Sequence, residues 1–242
     1  MQPTDTAVPK TRRIVIFGLE DFADIAYEYF THDSAYEVVG FTVDRDFLDR
    51  EETHGLPVIP FDELEAKFAP GDTDVYVAIV YGKLNRIREE ICNRVKAKGF
   101  RLGSYVSSRA FVWHNATIGE HCFIFEDNTI QPYASIGNNV ILWSGNHVGH
   151  HSRIGDHCFL TSQVVVSGWS SIGTHCFIGV NSTLANNTHV GDGCWINHGT
   201  CISGDVPPKS LVKSVGSEVL PLNEAALFRG LARASRNRGA GG

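Results

Sequence analysis

The sequence predicts two folds in tandem: an α/β domain of Rossmann-like order, then an all-β parallel β-helix of hexapeptide repeats. Three observations carry this. An aliphatic residue recurs every six positions from Val112 to Ile202, and a glycine recurs every eighteen through the same stretch. The segment before it alternates strand-like and helix-like runs.

The six-residue series begins Val112, Ile118, Ile124, Ile130 and ends Val190, Ile196, Ile202; all sixteen positions are Val, Ile or Leu, with no insertion. Helices repeat at about 3.6 residues and strands at about 2, so neither produces a strict six. A solenoid does, because each flat side turns one residue inward to stack on its equivalents. Two residues earlier runs a column of small or medium residues, among them Ala116, Cys122, Asn128, Ala134 and Val140. Bulk there would clash in a tight inner corner. Gly119, Gly137, Gly155, Gly173 and Gly191 mark one corner per eighteen residues. Three hexads per turn then make a triangular prism of about five turns. Cys122, Cys158, Cys176 and Cys194 fall in the small column and read as buried thiols, not nucleophiles. His121, His157 and His175 recur at one corner and read as turn residues.

Before the solenoid, Arg13–Gly18, Tyr36–Val43, Val75–Val80 and Arg101–Val106 read as strands. Asp21–Phe30, Phe61–Phe68 and Asn85–Lys98 read as helices. The chain therefore divides into a flexible N-terminus (1–11), a Rossmann-like domain (12–106), the β-helix (107–206) and a C-terminal extension (207–242). Asp205-Val206-Pro207-Pro208 is expected to end the repeat, and 222–236 to form a helix before a flexible tail.

In such α/β sheets a ligand sits at the C-terminal strand ends. Gly18 opens the first such loop, but it is the only glycine kept from a dinucleotide fingerprint, so NAD is not expected. Asp44 follows the second strand, where an acid can accept from a ribose or a base; a solvated turn aspartate is the plainer alternative.

Net charge is −6, which argues against a nucleic-acid partner. No apolar run approaches the ~20 residues of a membrane span. No signal-peptide core precedes the first strand, which points to the cytoplasm. No two cysteines form a C-x-x-C pair and no two histidines lie five apart, so neither a zinc or redox pair nor a γ-type carbonic anhydrase fits; no metal is expected. A non-catalytic trimeric scaffold remains the alternative to an enzyme.

A short α/β domain followed by an unbroken hexapeptide helix resembles the nucleotide-sugar acetyltransferases, from about Arg12 to Val219. That family includes the sialic-acid O-acetyltransferase relatives and the N-acetyltransferases of bacillosamine and perosamine biosynthesis. The resemblance implies a left-handed β-helix and acetyl-CoA as co-substrate. It implies an amino or hydroxyl group on a nucleotide-linked sugar as acceptor, with N-acetylation favoured, in the making of surface polysaccharide such as O-antigen. It also implies a homotrimer with each site between adjacent β-helices, and Trp113, Trp143 and Trp169 are expected as large exposed residues there.

The step Val148-Gly149-His150-His151-Ser152-Arg153-Ile154-Gly155 matches the family's catalytic step. His150 falls at the general base, and Gly168 matches the backbone donor to the thioester carbonyl. Close relatives often carry a carboxylate after the histidine, where this chain has His151. That leaves Asp156, an acid from a neighbouring chain, or a neutral partner such as Asn146 to orient the ring, with His147 and His151 as site-lining residues. Leu19-Glu20-Asp21-Phe22 replaces the relatives' Gly-x-x-Gly-His loop, and Tyr81 and Lys83 fall where the family's loop faces the sugar nucleotide.

Overall fold

The computed structural model describes residues 8–216. In chain order the first domain comprises β1 (Arg12–Phe17), α1 (Asp21–His32), β2 (Tyr36–Val43), β3 (Glu52–Thr53), β4 (Leu56–Pro60), α2 (Leu64–Lys67), β5 (Thr73–Val77), α3 (Arg86–Ala97) and β6 (Arg101–Leu102). The strands form one sheet in the order β3-β4-β2-β1-β5-β6, parallel except for the β3–β4 hairpin. Alternation along β1 divides the core. Ile14 and Ile16 face α1, through Phe22, Ala26 and Phe30, while Val15 and Phe17 face α3, through Ile91, Cys92 and Val95.

Two details depart from the sequence reading. The β3–β4 hairpin was not expected, because Pro57 and Pro60 disguise Leu56–Pro60 as a loop. They are tolerated where β4 lies near the sheet edge. The expected strand Arg101–Val106 is cut at Gly103. Its first half completes this sheet and Tyr105–Val106 is already the first rung of the solenoid. A Cβ at Gly103 would lie 2.5 Å from Ile14 Cδ1, so the crossing between domains is built on a residue without one.

From Tyr105 every hexad gives a two-residue strand, and strands eighteen residues apart pair in parallel, as in Phe123↔Ile141 and His147↔Val165. Three sheets result, of seven, six and five strands, and the fold is the parallel β-helix that the repeat called for, with the left hand that the resemblance implied. The six-residue aliphatic column and the cysteine column fill its interior. The cysteine thiols donate to carbonyls on the next turn, as Cys158 does to Gly173 O (3.0 Å), and burial pushes the Cys122 thiol up to about 12. They are structural groups.

The repeat does not end at Asp205. Val206 bridges Val190, and Leu211–Val212 pairs with Trp195–Ile196. Pro207 and Pro208 turn a corner instead of breaking it, with the Pro208 ring against Gly191, where a Cβ would lie 2.7 Å from Pro208 Cδ. The helix expected at 222–236 and the tail lie outside the described residues.

The α/β domain sits on the seven-stranded side of the prism. There the outward residues Tyr105, Phe123, Phe159 and Phe177 enter one apolar cluster with Phe22, Phe30 and Tyr76. Trp143 belongs to it too. Its ring stacks on Phe125 (4.6 Å, 10°) beneath Phe22, so it is domain glue and not the exposed residue that the sequence suggested. Trp113 and Trp169 are exposed, at 40% and 55%.

Candidate active site

One prism corner joins the strand His147–Val148 to the strand Arg153–Ile154. It separates the six- and five-stranded sides and so lies opposite the side covered by the α/β domain. At each turn of this corner a residue takes the left-handed conformation: Tyr133 (φ 63°), His151 (φ 58°) and Trp169 (φ 61°). Their rings form a ladder, with His151 stacked on Trp169 (4.1 Å, 9°) and against Tyr133 (4.7 Å, 26°).

His150 stands beside the ladder, its ring at 84° to His151. Its backbone N–H donates to Gln131 Oε1 (3.0 Å), and its Nδ1 meets His151 Nδ1 at 3.2 Å. The other edge lies over Gly168, where a Cβ would come within 2.7 Å of His150 Cε1 and 2.8 Å of Nε2. The imidazole occupies the space of a side chain that Gly168 lacks. At equivalent turn positions the free N–H is capped by a side chain, as at Glu120 by Asn138 Oδ1 (3.0 Å) and at Thr174 by Asp192 Oδ1 (2.6 Å). The Gly168 N–H has no such acceptor among the described residues. A Cβ on Gly149 would sit 2.6 Å from the Gly168 nitrogen, so a side chain there would crowd this unpaired amide. An imidazole nitrogen and an uncommitted amide thus share one exposed corner.

The remaining predicted residues are placed elsewhere. Asn146 is buried in the solenoid; its amide donates to Trp143 O and its Oδ1 accepts from Val164 N (2.8 Å). It does not orient His150. Asp156 is on another corner, where its carboxylate accepts from Asn138 N (2.7 Å), so it does not orient His150 either. His147 projects outward from its strand between Thr129 and Val165.

In the α/β domain, Gly18 (φ 133°) makes the tight turn after β1, where a Cβ would come 3.1 Å from Ala78 O. Asp44 accepts from Arg94 Nη1 (2.9 Å) on α3 and borders an open space of about 390 Å³ with Arg45, Phe61 and Lys98. Tyr81 rests edge-on against Phe159 (5.2 Å) and Phe177 (4.9 Å) of the solenoid. Lys83, Leu84 and Asn85 form three successive left-handed residues (φ 49°, 53°, 65°), a conformation that costs roughly 1–2 kcal/mol per residue. None of these groups meets His150 within one chain.

What holds that strained loop was invisible in sequence. Arg88, fully buried, donates from Nη1 to Ile79 O (3.1 Å) and Asn85 Oδ1 (3.1 Å), and from Nε to Asn139 Oδ1 (2.6 Å) of the solenoid. Asn85 donates in turn to Cys176 O (3.3 Å). His121 accepts from Val77 N–H (2.9 Å) and meets Asn139 Oδ1 through Nδ1 (2.9 Å); burial drives its pKa down to about 3. Only the recurrence of His121, His157 and His175 at multiples of eighteen residues, with Asn139 at the intervening position, hinted at a shared job.

His157 and His175 both reach Glu89 of α3, at 3.4 and 2.9 Å. Three potential ligand atoms come together here. The two rings are stacked at 4.7 Å and 29°, and both turn Nε2 toward the Glu89 carboxylate. The cluster fits a carboxylate clasp between the domains.

Comparison with known proteins agrees with this architecture. Residues 133–168 match the bacterial transferase hexapeptide model, and 170–203 match the hexapeptide repeat of succinyl-transferase. Both matched stretches lie in the solenoid and are models of hexapeptide repeats, in agreement with its six-residue period. Solved structures similar in fold over most of the chain include acetyltransferases. The acetyltransferase domain of PglB from Neisseria gonorrhoeae is similar over 83% of this chain and 96% of its own, with a TM-score of 0.71 and 25% identity. A perosamine N-acetyltransferase variant from Caulobacter crescentus, in complex with CoA and GDP-perosamine, is similar in fold over 89% and 100%, with a TM-score of 0.75 and 22% identity. WeeI from Acinetobacter baumannii gives a TM-score of 0.66 at 18% identity over 87% and 100%. No curated protein matches the chain by sequence. No helix among the described residues is long and apolar enough to cross a membrane.

Proposed function

We propose that the chain transfers an acetyl group from acetyl-CoA to an amino group on a nucleotide-linked sugar, with His150 as general base. The observation that carries this is the seating of the His150 ring over Gly168, whose N–H has no acceptor among the described residues. The acceptor amine attacks the thioester carbonyl and gives up a proton to His150 Nε2. The Gly168 N–H donates to the oxygen as it gains negative charge. The C–S bond then breaks, the amide forms, and the imidazolium returns its proton to the leaving thiolate. No acyl-enzyme intervenes.

Support comes from the similar structures: the PglB domain has been solved with acetyl coenzyme A and the perosamine enzyme with CoA and GDP-perosamine. The assembly we propose is a homotrimer. The corner bearing His150 faces away from its own α/β domain, so a sugar nucleotide held near Tyr81 and Lys83 meets His150 only across a subunit boundary. Gly18 and Asp44 complete the nucleotide side of that site. In this reading the enzyme works in the cytoplasm on precursors of surface polysaccharide. The test is CoA release with a panel of UDP-, GDP-, dTDP- and CMP-linked amino sugars. Turnover with one of them supports the proposal; no release with any of them, from trimeric protein that binds CoA, counts against it.

A further inference from the structure

The pair His150–His151 poses a question that the base assignment leaves open. A histidine that takes a proton at Nε2 carries its own proton on Nδ1, and that N–H needs an acceptor to fix tautomer and ring orientation. Neither Asn146 nor Asp156 supplies it, since both side chains are spent elsewhere. The atom that does meet His150 Nδ1 is His151 Nδ1, at 3.2 Å. Adjacent residues seldom face one another, and here the backbone explains it. His151 is in the left-handed conformation (φ 58°), which turns its ring into the ladder between Tyr133 and Trp169 and brings its Nδ1 to its neighbour's. The stack fixes the plane of the ring, and a fixed plane fixes the direction of the lone pair.

We infer that His151 is the positioning residue of this site: a neutral imidazole, clamped by Tyr133 and Trp169, that accepts the Nδ1–H of His150 and leaves Nε2 aimed at the substrate over Gly168. The inference rests on His150 being the base. It requires His151 to carry its own proton on Nε2. When His150 becomes imidazolium during the reaction, the Nδ1–H···Nδ1 bond becomes charge-assisted without any group moving. The arrangement also assigns the exposed aromatic ladder a task, since Tyr133 and Trp169, 62% and 55% exposed, stabilise little by their own burial.

The plainer account is that His151 only packs. Two substitutions separate the accounts, because they remove different halves of the residue. His151→Phe keeps a flat ring for the stack and removes the acceptor nitrogen. His151→Asp removes the ring, tolerates the left-handed backbone, and offers a carboxylate to Nδ1–H. Positioning predicts that His151→Phe keeps its KM and melting temperature while kcat falls roughly 10–100-fold, the range for losing a partner that orients a histidine. It predicts that His151→Asp restores kcat to at least the His151→Phe level multiplied several-fold. It also predicts that the Asp variant moves the acid limb of the kcat profile to higher pH, since a carboxylate favours the imidazolium. Packing predicts the reverse order, with Phe like the parent and Asp impaired, and that order overturns the inference. His150→Ala is the control. If it destroys turnover while His151→Phe is fully active, the positioning role alone is wrong; if His150→Ala is itself fully active, the base assignment fails first.

Discussion

Two corners of the same prism carry histidines at or beside a left-handed turn residue, and they have opposite surroundings. At one, His121, His157 and His175 lie beneath the α/β domain and spend their nitrogens on Val77 N–H, Asn139 and Glu89. At the other, His150 and His151 face away from that domain, and His150 Nε2 is left over Gly168. Residue type is alike, and His151 shares the repeat position of the first three, while His150 stands one position earlier. One corner is covered by the α/β domain and the other is not, and in the proposed function the covered histidines dock while the open one, His150, is the base.

The comparison breaks most visibly under substitution. His150→Ala is expected to lower kcat by roughly 10²–10⁴-fold, the range for removing a positioned base, with an unchanged melting temperature. His175→Ala is expected to do the opposite, lowering the melting temperature by loosening Glu89 and leaving kcat near the parent value. If purified, folded His147→Ala proves more damaging than His150→Ala, the corner has been misassigned.

The buried corner has a pH signature of its own. The folded-state pKa of His121, about 3, lies below the ordinary histidine value of 6.5. The unfolded chain therefore binds a proton before the folded one does. Stability is fully present above about pH 6.5 and declines as pH falls toward 3, by at most ~1.4 kcal/mol per unit from this group. Denaturant titrations of the parent and of His121→Gln across that window should show a shallower decline in the variant; parallel curves would mean that His121 is not the group responsible.

Smaller effects sharpen the same contrast. Gly168→Ala places a Cβ 2.7 Å from the His150 ring, so the imidazole must swing away. We expect kcat to fall by roughly 10-fold or more with little loss of stability, which paired kinetics and melts will read. Cys158→Ala removes a buried thiol from the solenoid wall. It should cost ~1–2 kcal/mol in denaturant unfolding and leave turnover nearly intact.

Much of this was legible in sequence because the solenoid repeats its chemistry every turn. The strict six at Val112 to Ile202 forces the parallel sheets, and the glycines every eighteen locate the corners. The end of the repeat was misread because Pro207-Pro208 looks like a stop, whereas a prism corner needs no amide there. Trp143 was misread as surface because a ladder position does not reveal which side another domain will cover. The same ignorance hid Arg88, which in sequence is one more cation on a charged helix and in the fold is fully buried between Ile79, Asn85 and Asn139. His150 and Gly168 were proposed from resemblance to a known step, and the fold brings the two into contact. The contact of His151 with His150 depends on a positive φ and a stack on Trp169, neither of which any spacing encodes.

The central claim is that the His150 corner holds the reacting thioester. The most direct measurement is a crystal structure of the intact protein with an acetyl-CoA analogue. The account predicts the carbonyl oxygen within about 2.7–3.1 Å of Gly168 N, with His150 Nε2 on the side from which the amine arrives. A thioester seated instead beside His157 and His175, or away from Gly168 altogether, would contradict it.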